Sequence, residues 1–358
     1  MARALQPYLE YQADRVEAVL AAHRSPGRVT GGMVGPQLIQ FFLNPAPHTR
    51  FTAIRRLADD LALALHVPNL RIARNADNIV LEFANPKPQS VNLLTLLQSI
   101  MPLPVGTALL GLTENGTPLL MRLSSPDVAH VLIAGTTGSG KSVLMRSIAV
   151  SLALNHRPDV LRMVCIDPKN RTFRALAGMP HLSRPPVKDL TEAVEVLRSL
   201  VRVMEIRDQR GEAPDNPTGV TAPRIAVFID ELADLVLQGE FALNEALTRL
   251  LQRGREAGIH LIAATQRPSS AVLSGLMRAN FPLRLVGRVV SADDARVASG
   301  RAGTQAHLLS GHGDFLAVTG GDAPLRFQAA HIDEKALQQH LRSTSETRLH
   351  ALPLPSTT

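Results

Sequence analysis

The sequence has few aromatic residues, no tryptophan and one cysteine. Aromatic side chains make up 3% of the 358 residues, against 45% for the whole apolar class. The core must therefore consist mainly of Leu, Val, Ile and Ala, a composition that favours parallel strands covered by helices over an all-β sandwich. The single Cys165 excludes a disulfide framework within the chain and fits a reducing cytoplasm.

A secretory signal and a continuous membrane-spanning run are also absent. Residues 1–15 are polar and charged, and the uncharged stretch 89–113 is interrupted by Pro102, Pro104 and Gly106. These residues break any apolar helix of the ~20 residues that a bilayer requires, so we interpret the stretch as a helix end and a linker. We expect a cytoplasmic protein without a membrane span of its own.

The charge balance is basic. Lys and Arg number 38 against 31 Asp and Glu, which gives a formal charge of +7. Such a charge suits a polyanionic partner such as nucleic acid, although a solvated, arginine-rich surface explains it equally well.

Two patterns follow one another along the chain. The first hundred residues predict a small α/β unit that ends near Pro102–Pro104, and the rest alternates strands with helices, which is typical of a mostly parallel α/β sheet. In the first part we predict helices at Pro7–His23 and Phe51–Leu65, a strand at Gln37–Leu43 and a hairpin of Leu70–Arg74 with Asn78–Phe83. In the second part we predict strands at Val131–Ala134, Val160–Ile166, Ile225–Ile229, His260–Ala264 and Leu283–Val290, helices at Ser142–Asn155, Leu190–Arg207 and Glu240–Glu256, and a final strand pair at Phe315–Val318 and Leu325–Ala330.

The clearest motif is a glycine-rich loop between a predicted strand and a predicted helix. It consists of Gly135, Thr136, Thr137, Gly138, Ser139, Gly140, Lys141 and Ser142, and Val143 follows in the helix. Glycines let successive backbone N–H groups point at phosphate oxygens, and the start of the helix adds favourable charge. Because Lys141 can reach the β and γ phosphates and Ser142 can ligate Mg²⁺, the loop predicts a site for ATP and Mg²⁺.

Two carboxylates end another predicted strand, at Asp230 and Glu231. In ATPases with this loop, the aspartate at the strand end holds Mg²⁺ and an adjacent glutamate can polarise the attacking water. Such a pair alone often only caps the next helix. After a phosphate loop in the same sheet, it predicts hydrolysis.

Polar and basic residues flank the predicted strand at His260–Ala264. Gln266, just after it, can hydrogen-bond the γ-phosphate or the water and report hydrolysis, whereas an ordinary turn is the alternative. Arg255, before it, either complements the dipole of the preceding helix or acts as an arginine finger on a neighbouring subunit's phosphate.

These motifs, in this order, resemble the FtsK/SpoIIIE family of DNA translocases. The resemblance is carried by Val131–Val143, Ile166–Lys169, Met179–Leu182, Val227–Leu235, Arg255–Ser269, Leu276–Pro282 and Gly313–Asp314, with a further likeness at Gly35–Pro36 and Leu57–Ala62. It implies a RecA-like ATPase domain over residues 105–335, a smaller α/β motor subdomain over 1–104 and a polar tail over 336–358.

The resemblance also implies an assembly and a substrate. Family members form hexameric rings around double-stranded DNA, so Arg255 is expected to act across the subunit interface and Gln266 to sense the phosphate. Arg267 and Arg278 fall where the family contacts DNA phosphates without reading sequence. Ala292 stands where the family often has a lysine, with Arg288 and Arg296 as alternative sources of charge.

The resemblance further suggests a motor without the family's membrane anchor or its sequence-reading winged-helix module, so a separate anchoring protein, recombinase or relaxase is a possible partner. Three other functions stay open. The chain can be a DNA-transfer motor of a conjugative or mobile element, or a protein-export ATPase of the type VII secretion kind. The most remote alternative is a recruitment protein that scarcely hydrolyses ATP.

Overall fold

Two β-sheets, each with its own apolar core, organise the chain. The computed structural model describes residues 2–74, 78–214, 222–238, 241–269, 272 and 275–339. A four-stranded sheet lies in the first 84 residues, and a nine-stranded sheet contains every later strand of this described part.

The smaller sheet is antiparallel and is covered by helices. Its elements are α1 (Ala2–Ala22), β1 (Gly27–Val34), β2 (Leu38–Pro45), α2 (Phe51–Arg56), α3 (Ala58–Leu65), β3 (Leu70–Arg74) and β4 (Ile79–Ala84). The strands pair in the order β1-β2-β4-β3. Val16 and Leu20 of α1 and Leu61 of α3 share one buried cluster with Phe41 and Phe83 of the sheet, so this unit has a core of its own.

The predictions for this unit are largely confirmed, with two differences. The helix predicted at Phe51–Leu65 is broken at Leu57, whose N–H bonds to the Ile54 carbonyl and closes α2 with a tighter turn. Strand β1 was not predicted, because Gly31 and Gly32 weaken its strand pattern. The turn predicted at Asn75–Asp77 lies outside the described residues.

The larger sheet begins with elements that the sequence did not suggest. These are α4 (Leu93–Ile100), β5 (Thr107–Thr113) and β6 (Pro118–Arg122). Our interpretation of residues 89–113 as a helix end and a linker was therefore wrong for β5. Residues 107–113 of the uncharged run instead form a buried strand, which pairs with β6 on one side and has Ala108, Leu109 and Leu110 almost fully covered.

The remaining elements follow the predicted alternation. They are β7 (Val131–Ala134), α5 (Lys141–Asn155), β8 (Leu161–Ile166), α6 (Leu190–Arg210), β9 (Arg224–Ile229), α7 (Leu232–Gln238), α8 (Phe241–Arg253), β10 (Ile259–Thr265), α9 (Gly275–Ala279), β11 (Leu283–Val286), α10 (Ala292–Ser299), β12 (Asp314–Val318) and β13 (Leu325–Ala329). The strand order is β6-β5-β13-β12-β11-β7-β10-β9-β8. Strands β8, β9, β10, β7 and β11 are parallel, and the other half is antiparallel.

Helices cover both faces of the parallel strands. Phe228 of β9 packs in one cluster with Leu144 and Ile148 of α5, whereas Val227 packs on the other face with residues of α6 and α8. Alternate residues of each strand are thus buried on opposite faces, which explains the continuous apolar runs in the sequence. No helix in the described part of the chain is long and apolar enough to cross a membrane.

Two predicted boundaries in this sheet differ from the structure. The strand predicted at Leu283–Val290 ends at Val286, where its partner β7 also ends. Gly287 still donates to the Ala134 carbonyl, and the chain then turns, leaving Val290 80% exposed. Residues 334–339 are helical, and Leu337 is buried in the core. The first residues of the predicted polar tail therefore pack on the larger sheet.

Candidate nucleotide site

The glycine-rich loop connects β7, which lies between the parallel strands β11 and β10, to α5. Gly140 caps the helix with φ +103°, and a Cβ there would lie 2.9 Å from the Gly313 nitrogen. Only glycine fits both conditions. The strand–loop–helix arrangement that the sequence predicts is confirmed, and the loop lies at the carboxyl edge of the sheet.

Lys141 lies inside the loop rather than in solvent. Its Nζ donates to the carbonyl oxygens of Gly135 at 2.7 Å and Thr136 at 3.0 Å. Burial lowers the pKa of Lys141 to about 8, against the opposing effects of Glu231 and Asp230. The ammonium is thus held where phosphate oxygens would approach the loop.

Asp230 and Ser142 bring two oxygen donors together beside the loop. Ser142 Oγ is 3.5 Å from Asp230 Oδ1, and Thr172 Oγ1 donates to the same carboxylate oxygen at 2.6 Å. Burial raises the pKa of Asp230, and the Thr172 hydrogen bond opposes this shift. A hydroxyl and a carboxylate fit Mg²⁺, which usually binds one or two protein oxygens together with waters and substrate phosphates.

Glu231 joins the ends of two strands to the phosphate loop. Its carboxylate oxygens accept from the Gln266 backbone nitrogen at 3.2 and 3.1 Å. The Gln266 side-chain oxygen in turn accepts from Thr137 Oγ1 at 2.9 Å. The residues predicted at the ends of β9 and β10 therefore lie together, as expected from the shared carboxyl edge of parallel strands.

Arg255 lies elsewhere. It precedes the amino end of β10, whereas Gln266 follows the carboxyl end. The seven residues of that strand separate the two positions by roughly 20 Å. The structure does not bring Arg255 to the phosphate loop of its own chain.

The two predicted DNA contacts have different environments. Arg267 is exposed directly after Gln266, and its backbone nitrogen donates to Thr265 Oγ1 at 3.1 Å. Arg278 is partly buried at the end of α9, and its carbonyl accepts from Arg284 Nη2 at 2.6 Å. Arg267 borders a cleft together with Thr136, Thr137 and Gln266 of the nucleotide site, and the lining of that cleft does not include Arg278.

The segment around Ala292 has a structural explanation. Ser291 caps α10, with its Oγ accepting from the Asp294 nitrogen at 3.0 Å. Asp293 and Asp294 complement the positive end of the helix dipole. The acidic residues at this position therefore serve the start of a helix.

Thr172 and Asp167 complete the site, and sequence reasoning missed Thr172. Asp167 Oδ2 accepts from the backbone nitrogens of Thr172 at 2.9 Å and Phe173 at 3.0 Å. This turn presents the Thr172 hydroxyl to Asp230. Nothing in the local sequence separates Thr172 from any loop threonine, because its partner is 58 residues away.

A cavity of about 600 Å³ opens over the loop. Its lining includes Thr137, Lys141 and Gln266 together with His331 and with Gln37, which directly precedes β2. This volume is typical of small-molecule and cofactor sites. The fold and the loop define a RecA-like P-loop NTPase.

Comparisons with known proteins agree with that class. The FtsK/SpoIIIE family model matches residues 104–210 and 214–270, and the FtsK alpha domain model matches residues 2–81. The chain therefore belongs to the FtsK/SpoIIIE family, and the resemblance seen in the sequence is confirmed.

Individual relatives show how far the similarity extends. The chain is 34% identical over 354 residues to a protein of Sporosarcina ureae named DNA translocase FtsK, covering 92% of this chain and 45% of that protein. It is 32% identical over 352 residues to DNA translocase SpoIIIE of Bacillus subtilis, covering 91% and 44%. The chain spans about half the length of the curated relatives it matches.

Solved structures share the fold. The pCW3 conjugation coupling protein TcpA, in a monomer form with ATPγS, gives a TM-score of 0.64 at 18% identity and covers 94% of this chain and 99% of its own. The cytoplasmic domain of the type VII secretion ATPase EccC from Thermomonospora curvata gives 0.60 at 25% identity, covering 71% and 34%. The predicted α/β, RecA-like fold is thereby confirmed.

Proposed function

We propose that this chain is the motor part of an ATP-driven translocase of double-stranded DNA. The observation that carries the proposal is the convergence of Lys141, Asp230, Glu231 and Gln266 at one sheet edge, in a chain whose relatives are named DNA translocases. The formal charge of +7 suits a polyanionic substrate.

Each residue has a defined part in hydrolysis. The loop nitrogens and Lys141 bind the phosphates, and Ser142 and Asp230 would hold Mg²⁺. When bound, Mg²⁺ neutralises charge on the phosphate oxygens. Glu231 accepts the proton of the attacking water, and Gln266, in contact with both Glu231 and Thr137, links the γ-phosphate to the end of β10.

The assembly that fits this chemistry is a homohexameric ring. Arg255 lies too far from its own loop to serve it, so we propose that it completes the site of the neighbouring subunit. Arg267 and Arg278 would grip the phosphate backbone in the central channel, where a Coulombic contact needs no sequence. We expect the ring to work in the cytoplasm.

The test measures ATP turnover with and without duplex DNA, alongside displacement of a third strand from that duplex. The motor is expected to show DNA-stimulated turnover and displacement, and Lys141→Ala is expected to abolish both. Stimulated turnover without displacement would leave a DNA-binding ATPase and remove the translocase. Stimulation by a protein substrate instead of DNA would favour the export function.

A transfer role in conjugation would use the same motor activity. The likeness to TcpA concerns the fold and does not separate this role from movement of chromosomal DNA. Both roles predict the same result in the assay above.

A further inference from the structure

A buried cluster of charged residues joins the two sheets. Arg326 on β13 of the larger sheet and Glu82 on β4 of the smaller sheet are each only 4% exposed and form an ion pair. The same guanidinium also holds Asp314, the first residue of β12, through Nε to Oδ1 and Nη2 to Oδ2, both at 2.8 Å. One arginine thus connects the sheets.

Two other residues of the smaller sheet also hold the Glu82 carboxylate in place. Arg71 Nη1 donates to Glu82 Oε2 at 2.6 Å, and Gln40 Nε2 donates to Oε1 at 3.2 Å. Although burial alone would raise it, the charges of Arg326 and Arg71 hold the pKa of Glu82 below its usual value. The carboxylate is therefore charged and oriented from three sides.

Stability alone does not explain why a buried ion cluster joins the two sheets. Burying a paired charge contributes little net stability, and apolar residues of similar size often do as well. What a hydrogen-bonded ion cluster provides in addition is a fixed geometry. The geometry that it fixes here is the start of β12.

The start of β12 in turn holds the phosphate loop. Asp314 Oδ2 accepts from the Ser310 nitrogen at 2.8 Å and so fixes the turn 310–313. From that turn, His312 N donates to the Gly138 carbonyl at 3.0 Å and Gly313 N to the Ser139 carbonyl at 2.9 Å. We refer to residues 310–314 as the clamp.

We propose that Glu82 and Arg326 are positioning residues for the nucleotide site. Through Asp314 and the clamp, they set the position of the phosphate loop from the smaller sheet. The inference rests on the proposed function only in requiring that the loop binds ATP. Because energetic coupling between two sites is reciprocal, nucleotide binding must then also tighten the smaller sheet.

The experiment measures two quantities on the full chain with ATPγS and Mg²⁺. The first is the dissociation constant, and the second is the hydrogen–deuterium exchange of β2 and β4 with and without the nucleotide. For the wild type we expect ATPγS to slow exchange in both strands. The decisive signal is that of β4, which contributes no residue to the cavity lining, because β2 begins directly after the lining residue Gln37. For Glu82→Gln, which keeps size but removes the charge, we expect at least about 5-fold weaker binding and loss of that protection.

A control variant at another ion pair shows whether the effect is specific to the Glu82 cluster. Glu205 and Arg249 form an ion pair between α6 and α8, away from the clamp. Glu205→Gln is expected to leave both the affinity and the protection unchanged. Arg326→Lys, which keeps the charge but loses the two-pronged contact with Asp314, should give an intermediate affinity.

The inference is overturned if Glu82→Gln folds, as judged by circular dichroism, and retains wild-type affinity and protection. If this variant does not fold, Arg71→Gln removes only the outer partner of Glu82, and unchanged values there overturn the inference equally. Failure of the wild type to bind ATPγS would remove both the proposed function and this inference. Tight binding of ATPγS without DNA-stimulated turnover would contradict the motor function alone. The coupling between the Glu82 cluster and the nucleotide site would still be measurable from the ATPγS affinity and the hydrogen–deuterium exchange.

Discussion

Glu231 has the geometry of a general base that is held in place by backbone. Both of its oxygens contact the Gln266 nitrogen, and one also lies 3.3 Å from the Ala233 nitrogen. It is only 5% exposed, so few positions remain for an attacking water. With Glu231 as the proposed base and Lys141 as the proposed phosphate ligand, binding of the nucleotide and its hydrolysis would depend on different residues.

The first prediction concerns that separation. Glu231→Gln keeps an oxygen for the Gln266 nitrogen but cannot accept a proton, so turnover should fall by about 10²- to 10⁴-fold. The affinity for ATPγS should change little, because Lys141 and the loop are untouched. Steady-state turnover and equilibrium binding measure the two effects. A variant with turnover within tenfold of the wild type would exclude Glu231 as the base.

The second prediction concerns Thr172. Its hydroxyl donates to Asp230 at 2.6 Å in a position that is 2% exposed. Thr172→Val keeps the shape and removes the donor, leaving Asp230 less well oriented toward Mg²⁺. Groups of this kind typically contribute about 10- to 100-fold to metal affinity.

The Mg²⁺ dependence of turnover and of ATPγS binding should therefore shift to higher concentration in Thr172→Val. Thr172→Ser, which restores the hydroxyl, should return it to the wild-type range. An unchanged Mg²⁺ dependence in the valine variant would show that the Thr172 contact does not position Asp230.

At the scale of whole elements, the parallel half of the larger sheet could be predicted and the antiparallel half only in part. Strands such as β7 and β9 are buried on both faces, so their sequence is a continuous apolar run bounded by polar residues. Strand β5 lies beside prolines and a glycine, which imitate a linker. The strand pairs with the neighbouring β6 on one side and with β13, more than 200 residues later in the sequence, on the other.

The residues of the site also differ in whether the sequence could predict their roles. Asp230, Glu231 and Gln266 could be predicted because polar residues at the ends of parallel strands must share one edge. Thr172 could not, since its role comes from a contact with Asp230, 58 residues later in the sequence. The cluster at Glu82 is the extreme case, because Arg326 lies 244 positions away in sequence.

The third prediction concerns the joint between the two sheets. Glu114 follows β5, near Glu82, Arg326 and Gln40. Burial first, and then the negative charge of Glu82, raise the pKa of Glu114 from 4.5 to about 7. The folded chain therefore holds this proton more tightly than the unfolded chain. The carboxyl contributes stability at low pH that is lost as the pH rises from 4.5 toward 7.

Glu114→Gln should remove this part of the pH dependence. Between pH 5 and pH 8, the free energy of unfolding of the wild type should fall relative to the variant by on the order of 1–3 kcal/mol. Urea unfolding at the two pH values measures the difference. Glu10→Gln, at an exposed glutamate of α1, serves as the control and should show no such change. If the free energies of unfolding of the wild type and Glu114→Gln differ by the same amount at pH 5 and at pH 8, the raised pKa of Glu114 is contradicted.

At the scale of the whole molecule, the residues that we propose for hydrolysis lie at opposite ends of the parallel strands. The phosphate loop, Asp230 and Glu231 lie at the carboxyl edge, and Arg255 lies before the amino end of β10. A single chain cannot close this distance without unfolding the sheet. In a head-to-tail ring, however, the amino edge of one subunit can face the carboxyl edge of the next.

The fourth prediction tests that arrangement by mixing inactive chains. Arg255→Ala and Glu231→Gln should each lack hydrolysis when they assemble alone. In an equal mixture, an interface that pairs Glu231 of the first variant with Arg255 of the second is intact. Random assembly makes about a quarter of the interfaces intact, so activity should return toward a quarter of the wild-type value if interfaces act independently.

The control mixes Lys141→Ala with Glu231→Gln. Both defects then lie in the same half of the site, so this mixture should regain no activity. Mixed rings that stay inactive in the first pairing, or an Arg255→Ala chain that hydrolyses ATP normally, would remove Arg255 from the neighbouring site.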